Sequence, residues 1–149
     1  MKFKFSLEKV LKYRHTQLDL ARRDFLQAQD KLDQAISVRD QMIVDKETAL
    51  KDRSQLIQKE NNWQFKVEQM NVFLSGQDLR IVRQNESLKL IEKEVESYRE
   101  ILMKALSEAK MIERLKEKKK EEFIKNFNEK EQKELDEIAT ARYVRIEEE

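Results

Sequence analysis

Gln58-Lys59-Glu60-Asn61-Asn62-Trp63 is the stretch whose reading decides the fold. Consecutive asparagines favour caps and turns and are poor inside helices. On both sides of them apolar residues recur at alternating steps of four and three, the period of a helix buried along one stripe. Upstream the ladder runs Leu7, Leu11, Arg14, Leu18, Ala21, Phe25, Ala28, Leu32, Ala35, with eight of nine positions apolar. It continues through Arg39, Met42, Lys46, Ala49, Arg53, Leu56 and Glu60, where four of seven positions are charged and the seam thins. Downstream it runs Trp63, Val67, Met70, Leu74, Gln77, Ile81, Gln84, Leu88, Ile91, Val95, Tyr98, Leu102, Ala105, Ala109, Ile112, with thirteen of fifteen apolar. The pattern predicts one helix over about 6–60, a turn at about 61–62 and a second helix over about 63–146. Ser6 is the expected N-cap of the first helix, with Phe5 and Val10 as a hydrophobic staple; Asn61 is the expected N-cap of the second, with Gln64 completing a capping box.

The competing hinge is Gly76, the one glycine of the chain. In an antiparallel hairpin the numbers of facing residues add to a constant set by the turn. A turn at Asn61-Asn62 sets that constant at 123 and pairs Leu11 with Ile112, Leu18 with Ala105, Phe25 with Tyr98 and Ala28 with Val95, so that small residues meet large ones. It also sets Arg39 against Gln84 and Lys46 against Gln77. A turn at Gly76 would instead set Arg39, Lys46, Arg53 and Glu60 against Ile112, Ala105, Tyr98 and Ile91, burying four charges without partners. One glycine inside a helix costs only about 1 kcal/mol relative to alanine, too little to break a packed helix. The expected fold class is therefore all-α: a long two-helix antiparallel coiled-coil hairpin forming a single domain over 1–149, its second helix longer and overhanging at the C-terminus. Phe25, Tyr98 and Trp63 are read as core residues of the seam.

Composition supports this. The 149 residues include no proline, one glycine and 41% charged residues, with 31 basic against 30 acidic side chains finely interleaved. A mean hydropathy of −0.86 excludes a conventional globular core. The near-zero net charge gives no reason to expect nucleic acid or an acidic membrane as partner. Cysteine is absent, which removes thiolate chemistry and disulfides. The opening Met1-Lys2-Phe3-Lys4-Phe5 lacks the apolar core of a signal peptide, and no apolar run reaches the roughly 18 residues that a membrane span needs. The expectation is a cytoplasmic protein with no direct membrane insertion.

Nothing in the sequence assembles a catalytic site. His15, the single histidine, lies on a charged helix face, and there is no phosphate-binding loop or nucleophile elbow. No enzymatic activity, cofactor or metal is expected. The run Lys116-Glu117-Lys118-Lys119-Lys120-Glu121-Glu122 interleaves both signs and reads as a solvated face. Beyond it a sparser stripe of Phe123, Phe127, Leu135 and Ile138 has no partner in the predicted pairing, and an unpaired apolar stripe marks a protein-interaction site. Phe73, apolar but off the seam near the turn, is a second candidate.

Three stretches taken together resemble the FliJ family, the coiled-coil component of the bacterial flagellar export ATPase complex. They are Phe3-Lys4-Phe5-Ser6-Leu7-Glu8-Lys9-Val10-Leu11-Lys12-Tyr13-Arg14, Ile112-Glu113-Arg114-Leu115-Lys116-Glu117-Lys118 and Glu131-Gln132-Lys133-Glu134-Leu135-Asp136-Glu137-Ile138-Ala139. The resemblance implies a monomeric stalk-like adaptor and chaperone of type III protein export. Its paired termini would engage the hexameric ring of the export ATPase, here through Phe3, Phe5, Phe123, Phe127, Leu135 and Ile138. Its hairpin side would engage the cytoplasmic domain of the membrane export gate, here through Phe73, Gln77, Arg80 and Gln84, the last three at positions where relatives can carry less polar residues. Export chaperones are further implied partners, and the implied location is peripheral at the inner-membrane export apparatus. The equivalent stalk of a virulence secretion system and a structural homodimeric coiled coil are the alternative readings.

Overall fold

The computed structural model describes residues 2–59 and 61–148. The protein is all-α: two long helices pack against each other, 93% of the described chain is helical, and no strand occurs among the described residues. Helix α1 spans Glu8–Lys59 and helix α2 spans Gln64–Glu147, with Asn61 and Asn62 in the turn between them. The expected end of the first helix, at residue 60, lies outside the described residues.

Both helix starts differ from the expected caps. Before α1 a tight turn closes with the Glu8 amide donating to the Phe5 carbonyl at 3.2 Å; the Leu7 carbonyl then accepts the first helical bond from the Leu11 amide at 2.9 Å. Leu7, not Ser6, therefore occupies the N-cap position, and Glu8 supplies a favourable negative charge to the first turn. At α2 the Val67 amide bonds the Trp63 carbonyl at 2.9 Å, so Trp63 takes the place expected for Asn61. The two asparagines are consumed by the turn itself.

The chain divides into two compact units, residues 1–19 with 104–149 and residues 20–103. In the first unit Leu11 and Leu18 of α1 and Ala109 of α2 are buried, Ala109 at 1% exposure. Polar contacts flank this seam: ion pairs of Arg14 with Glu108 at 2.6 Å and Lys116 with Glu8 at 2.9 Å, and a hydrogen bond between His15 Nε2 and Glu113 at 2.7 Å. All are substantially solvated, so they orient more than they stabilise. From Ile124 to Glu148 every residue is exposed.

In the second unit Ala21 and Ala28 are buried from α1, and Val67, Leu74, Leu88 and Val95 from α2. The alternation of alanine with leucine and valine lets the two backbones approach, as close packing demands. From Leu32 to Lys59 no α1 residue is fully buried, the structural form of the thinned seam. Its charged positions escape by reaching outwards. Arg39 pairs with the neighbouring Asp40 at 3.2 Å, Lys46 with Asp78 at 2.6 Å, and Arg53 donates to the Asn71 side-chain oxygen at 2.7 Å.

The two seam glutamines lie at the level of the charged positions Lys46 and Arg39, as the register predicts, but they do not bond those side chains. Each instead donates its side-chain amide to a backbone carbonyl four residues earlier on α1: Gln77 to Met42 at 2.8 Å and Gln84 to Ala35 at 3.0 Å. A buried amide needs an acceptor that cannot leave for solvent, and a helical carbonyl offers its second lone pair. The reading of Tyr98 as core is also corrected, since its side chain is 36% exposed. Phe25 is half-buried, and the Arg99 guanidinium lies 5.8 Å from its ring centroid.

Candidate protein-interaction sites

The first candidate site belongs to the unit that holds both termini. Residues 2–5 precede α1 without helical structure and bring Phe3 onto α2, its ring centroid 5.6 Å from that of Phe123 and tilted by 50°. Phe123 in turn stacks on Phe127 one helical turn later, at 6.5 Å and 20°. The expectation that Phe123 has no partner is thus overturned: the N-terminal segment covers it, because that segment runs on past the end of the seam. Such an aromatic pair adds about 0.5–1.5 kcal/mol beyond its buried area.

Phe5 is half-buried beside Phe3, and the two line a hollow with Lys119, Glu122, Phe123 and Asn126. The other side of Phe123 opens into a groove of about 490 Å³ between Phe123, Asn126, Phe127, Lys130, Glu131 and Glu134. The structure therefore gathers Phe3, Phe5, Phe123 and Phe127. Leu135 and Ile138 stay apart from them on the exposed part of α2, at 60% and 53% exposure. The polar members of the groove were not anticipated from apolar periodicity. Their spacing of 3, 7, 8 and 11 from Phe123 is one helical face, and that count alone would have found them.

The second candidate site lies within residues 20–103, around Phe73, whose ring is 42% exposed. The Arg80 guanidinium sits 5.5 Å from the Phe73 centroid, and Arg80 Nε donates to the Gln77 side-chain oxygen at 2.8 Å. Gln77 is only 4% exposed, so a partner that reaches Phe73 and Arg80 touches it little or not at all. Gln84, half-buried and bonded to α1, is likewise turned inwards. The four expected residues thus separate into an outward pair and an inward pair.

Residues 3–148 match the family model described as "Flagellar FliJ protein". The chain belongs to the FliJ family. Membership covers essentially its whole length and associates it with the flagellar export apparatus. No curated protein and no solved structure gives a significant match. The FliJ family is one of adaptors rather than enzymes. Among the described residues no cluster could hold a metal ion, and no helix is long and apolar enough to cross a membrane.

Proposed function

We propose that this FliJ family member is a stalk-like adaptor and chaperone of flagellar type III export, linking the export ATPase ring to the cytoplasmic domain of the export gate. The observation that carries the ATPase side is the aromatic cluster of Phe3, Phe123 and Phe127 at the start of a fully exposed stretch of α2. Phe127, Leu135 and Ile138 add solvent-facing apolar area there, at 40%, 60% and 53% exposure. Aromatic anchors ringed by polar residues are the composition of binding hot spots. Phe5 lines the hollow beside the cluster. On the gate side the contacts are Phe73 and Arg80, with Gln77 orienting Arg80 and Gln84 turned towards α1. A stiff helical pair can bias the states of a ring and of a distant partner only if its contacts differ between those states.

The test is capture of the hexameric export ATPase by the full chain and by a chain truncated after Leu115, with hydrolysis measured in parallel. Retention by the full chain, loss on truncation and loss with Phe127→Ala plus Leu135→Ala are expected. Equal capture by all forms, together with unchanged hydrolysis, would sink the ATPase reading. The monomeric state is checked by light scattering: a mass that rises with concentration would favour the homodimeric scaffold instead.

A further inference from the structure

Three features around Phe73 that a heptad pattern does not call for converge on one side chain. The first is Gly76, the single glycine of the chain and among the poorest of helix formers, placed well inside α2. Its backbone has no positive φ, so conformational freedom does not explain it. Space does. A Cβ at this position would lie 3.3 Å from Arg80 Nη1 and 3.7 Å from both Cζ and Nη2, so the guanidinium packs over the bare Cα more closely at Nη1 than a side chain there would comfortably allow. The second is Gln77, the one buried polar side chain among the described residues. Its amide nitrogen is fixed on the Met42 carbonyl, which turns its oxygen to accept from Arg80 Nε at 2.8 Å. The third is the Phe73 ring, 5.5 Å from the same guanidinium and still 42% exposed.

A cation located this carefully has no anion. Among the described residues Arg80 has no ion-pair partner, and Nη1 and Nη2 have no acceptor. The nearby Asp78 is engaged by Lys46 at 2.6 Å. With Nε occupied by Gln77, the side-on edge of the guanidinium is blocked and the end-on Nη1/Nη2 edge is left. That edge takes a carboxylate in bidentate fashion. Beside it the half-exposed ring offers apolar area that a partner can cover. Arginine and aromatic residues together are what interface anchors are made of.

We propose that Arg80 is the specificity-determining residue of this face, and that it takes a carboxylate from a protein partner whose acidic side chain stands beside an apolar pocket for Phe73. Gly76 and Gln77 are positioning residues that act through it. The proposal rests on the reading of the Phe73 face as the export-gate side. Placing the ordering of the guanidinium inside the folded helix means that binding does not have to supply it.

The experiment is titration of the full chain with the cytoplasmic domain of the export gate from the same genome, at several salt concentrations. Arg80→Met should weaken binding about ten- to a hundredfold, the range for a charge-assisted hydrogen-bonded pair, and should flatten the salt dependence. Arg80→Lys should restore the salt dependence but only part of the affinity, because an ammonium lacks the fork. Gln77→Leu, whose melting point reports an intact fold, should weaken binding severalfold with the salt dependence retained. If Phe73→Ala weakens binding while Arg80→Met leaves affinity and salt response unchanged, the carboxylate assignment is overturned and the gate-side reading stands. If neither variant matters, or the domain does not bind, both fall. Arg80-dependent sedimentation with phosphatidylglycerol vesicles, absent with phosphatidylcholine vesicles, would overturn the protein carboxylate in favour of a lipid phosphate.

Discussion

Replacing Gln77 with leucine should leave the hairpin as stable as before, or slightly more so, although Gln77 is 4% exposed and makes two side-chain hydrogen bonds. The bond to the Met42 carbonyl contributes about 1 kcal/mol net, and the bond accepted from the exposed Arg80 less than about 1 kcal/mol. Neither loss strands a buried group. The Met42 carbonyl keeps its helical bond to the amide four residues on, and the Arg80 guanidinium turns to water. Against this, a leucine of similar volume gains about 1.5–2 kcal/mol of apolar burial and sheds the cost of desolvating an amide. The expected net change is within about 1 kcal/mol of zero, on the stabilising side. For a chain of this size that is a melting-point rise of no more than about 2–4 °C. Gln77→Ala, which leaves a cavity and makes no compensating contact, should cost about 2 kcal/mol. Helical circular dichroism against temperature and urea measures both. A leucine variant destabilised by 2 kcal/mol or more would refute the account, since the glutamine would then hold the seam together rather than orient Arg80.

Leu88→Ala removes one of the best-buried side chains, 3% exposed, and should cost about 2–4 kcal/mol by urea titration. Leu135→Ala, at a position 60% exposed, should change the same midpoint by less than about 0.5 kcal/mol while weakening ATPase capture. Gly76→Ala should raise stability by about 0.5–1 kcal/mol through helix propensity, because the contact it makes is with the movable tip of Arg80. Phe3→Ala should cost about 0.5–1.5 kcal/mol and shift the aromatic resonances of Phe123 and Phe127, which lose the ring current of their neighbour. An unchanged aromatic spectrum would mean that the N-terminal segment does not cover Phe123.

The register of the hairpin was legible because both helices carry the same two-step ladder and the asparagine pair sits where the ladders meet. Cross-helix contacts within each unit bear this out. Arg14 with Glu108, Lys31 with Glu94, Lys46 with Asp78 and Arg53 with Asn71 have numbers that add to within about two of 123. Periodicity says which residues face the seam, but it does not say what a polar residue does once there. The register set Gln77 and Gln84 opposite charged positions but did not say what they bond: the long cations reach the solvent edge and leave the glutamines to the backbone. The cap residues were misplaced for a similar reason: Ser6 and Asn61 have the right chemistry, but each lies in a turn that ends a residue or two later. Coverage of Phe123 was illegible because it depends on the path of residues outside any helix. That path carries no period.

Departures from a local rule are often taken as pointers to function, and this chain shows why the departure alone is insufficient. Arg39, Lys46 and Arg53 break the seam as plainly as Gly76 and Gln77 do, but each finds an exit or a partner: Asp40, Asp78 and the Asn71 side chain. Their irregularity is discharged locally and leaves nothing for a ligand. Gly76, Gln77 and Phe73 differ because what they break is spent on a fourth residue. A missing Cβ leaves room for a guanidinium, a buried amide aims it, an exposed ring backs it, and the end-on nitrogens face solvent with no acceptor among the described residues. Three unrelated costs borne for one unpaired group imply a missing anion more strongly than any one of them could. The same criterion sorts the exposed apolar residues. Leu26, Leu90 and Met103 stand singly at 62%, 67% and 60% exposure, as scattered surface residues do in any soluble protein. Phe127 is backed by a stack that reaches Phe3 across the hairpin, and that continuity makes it an anchor.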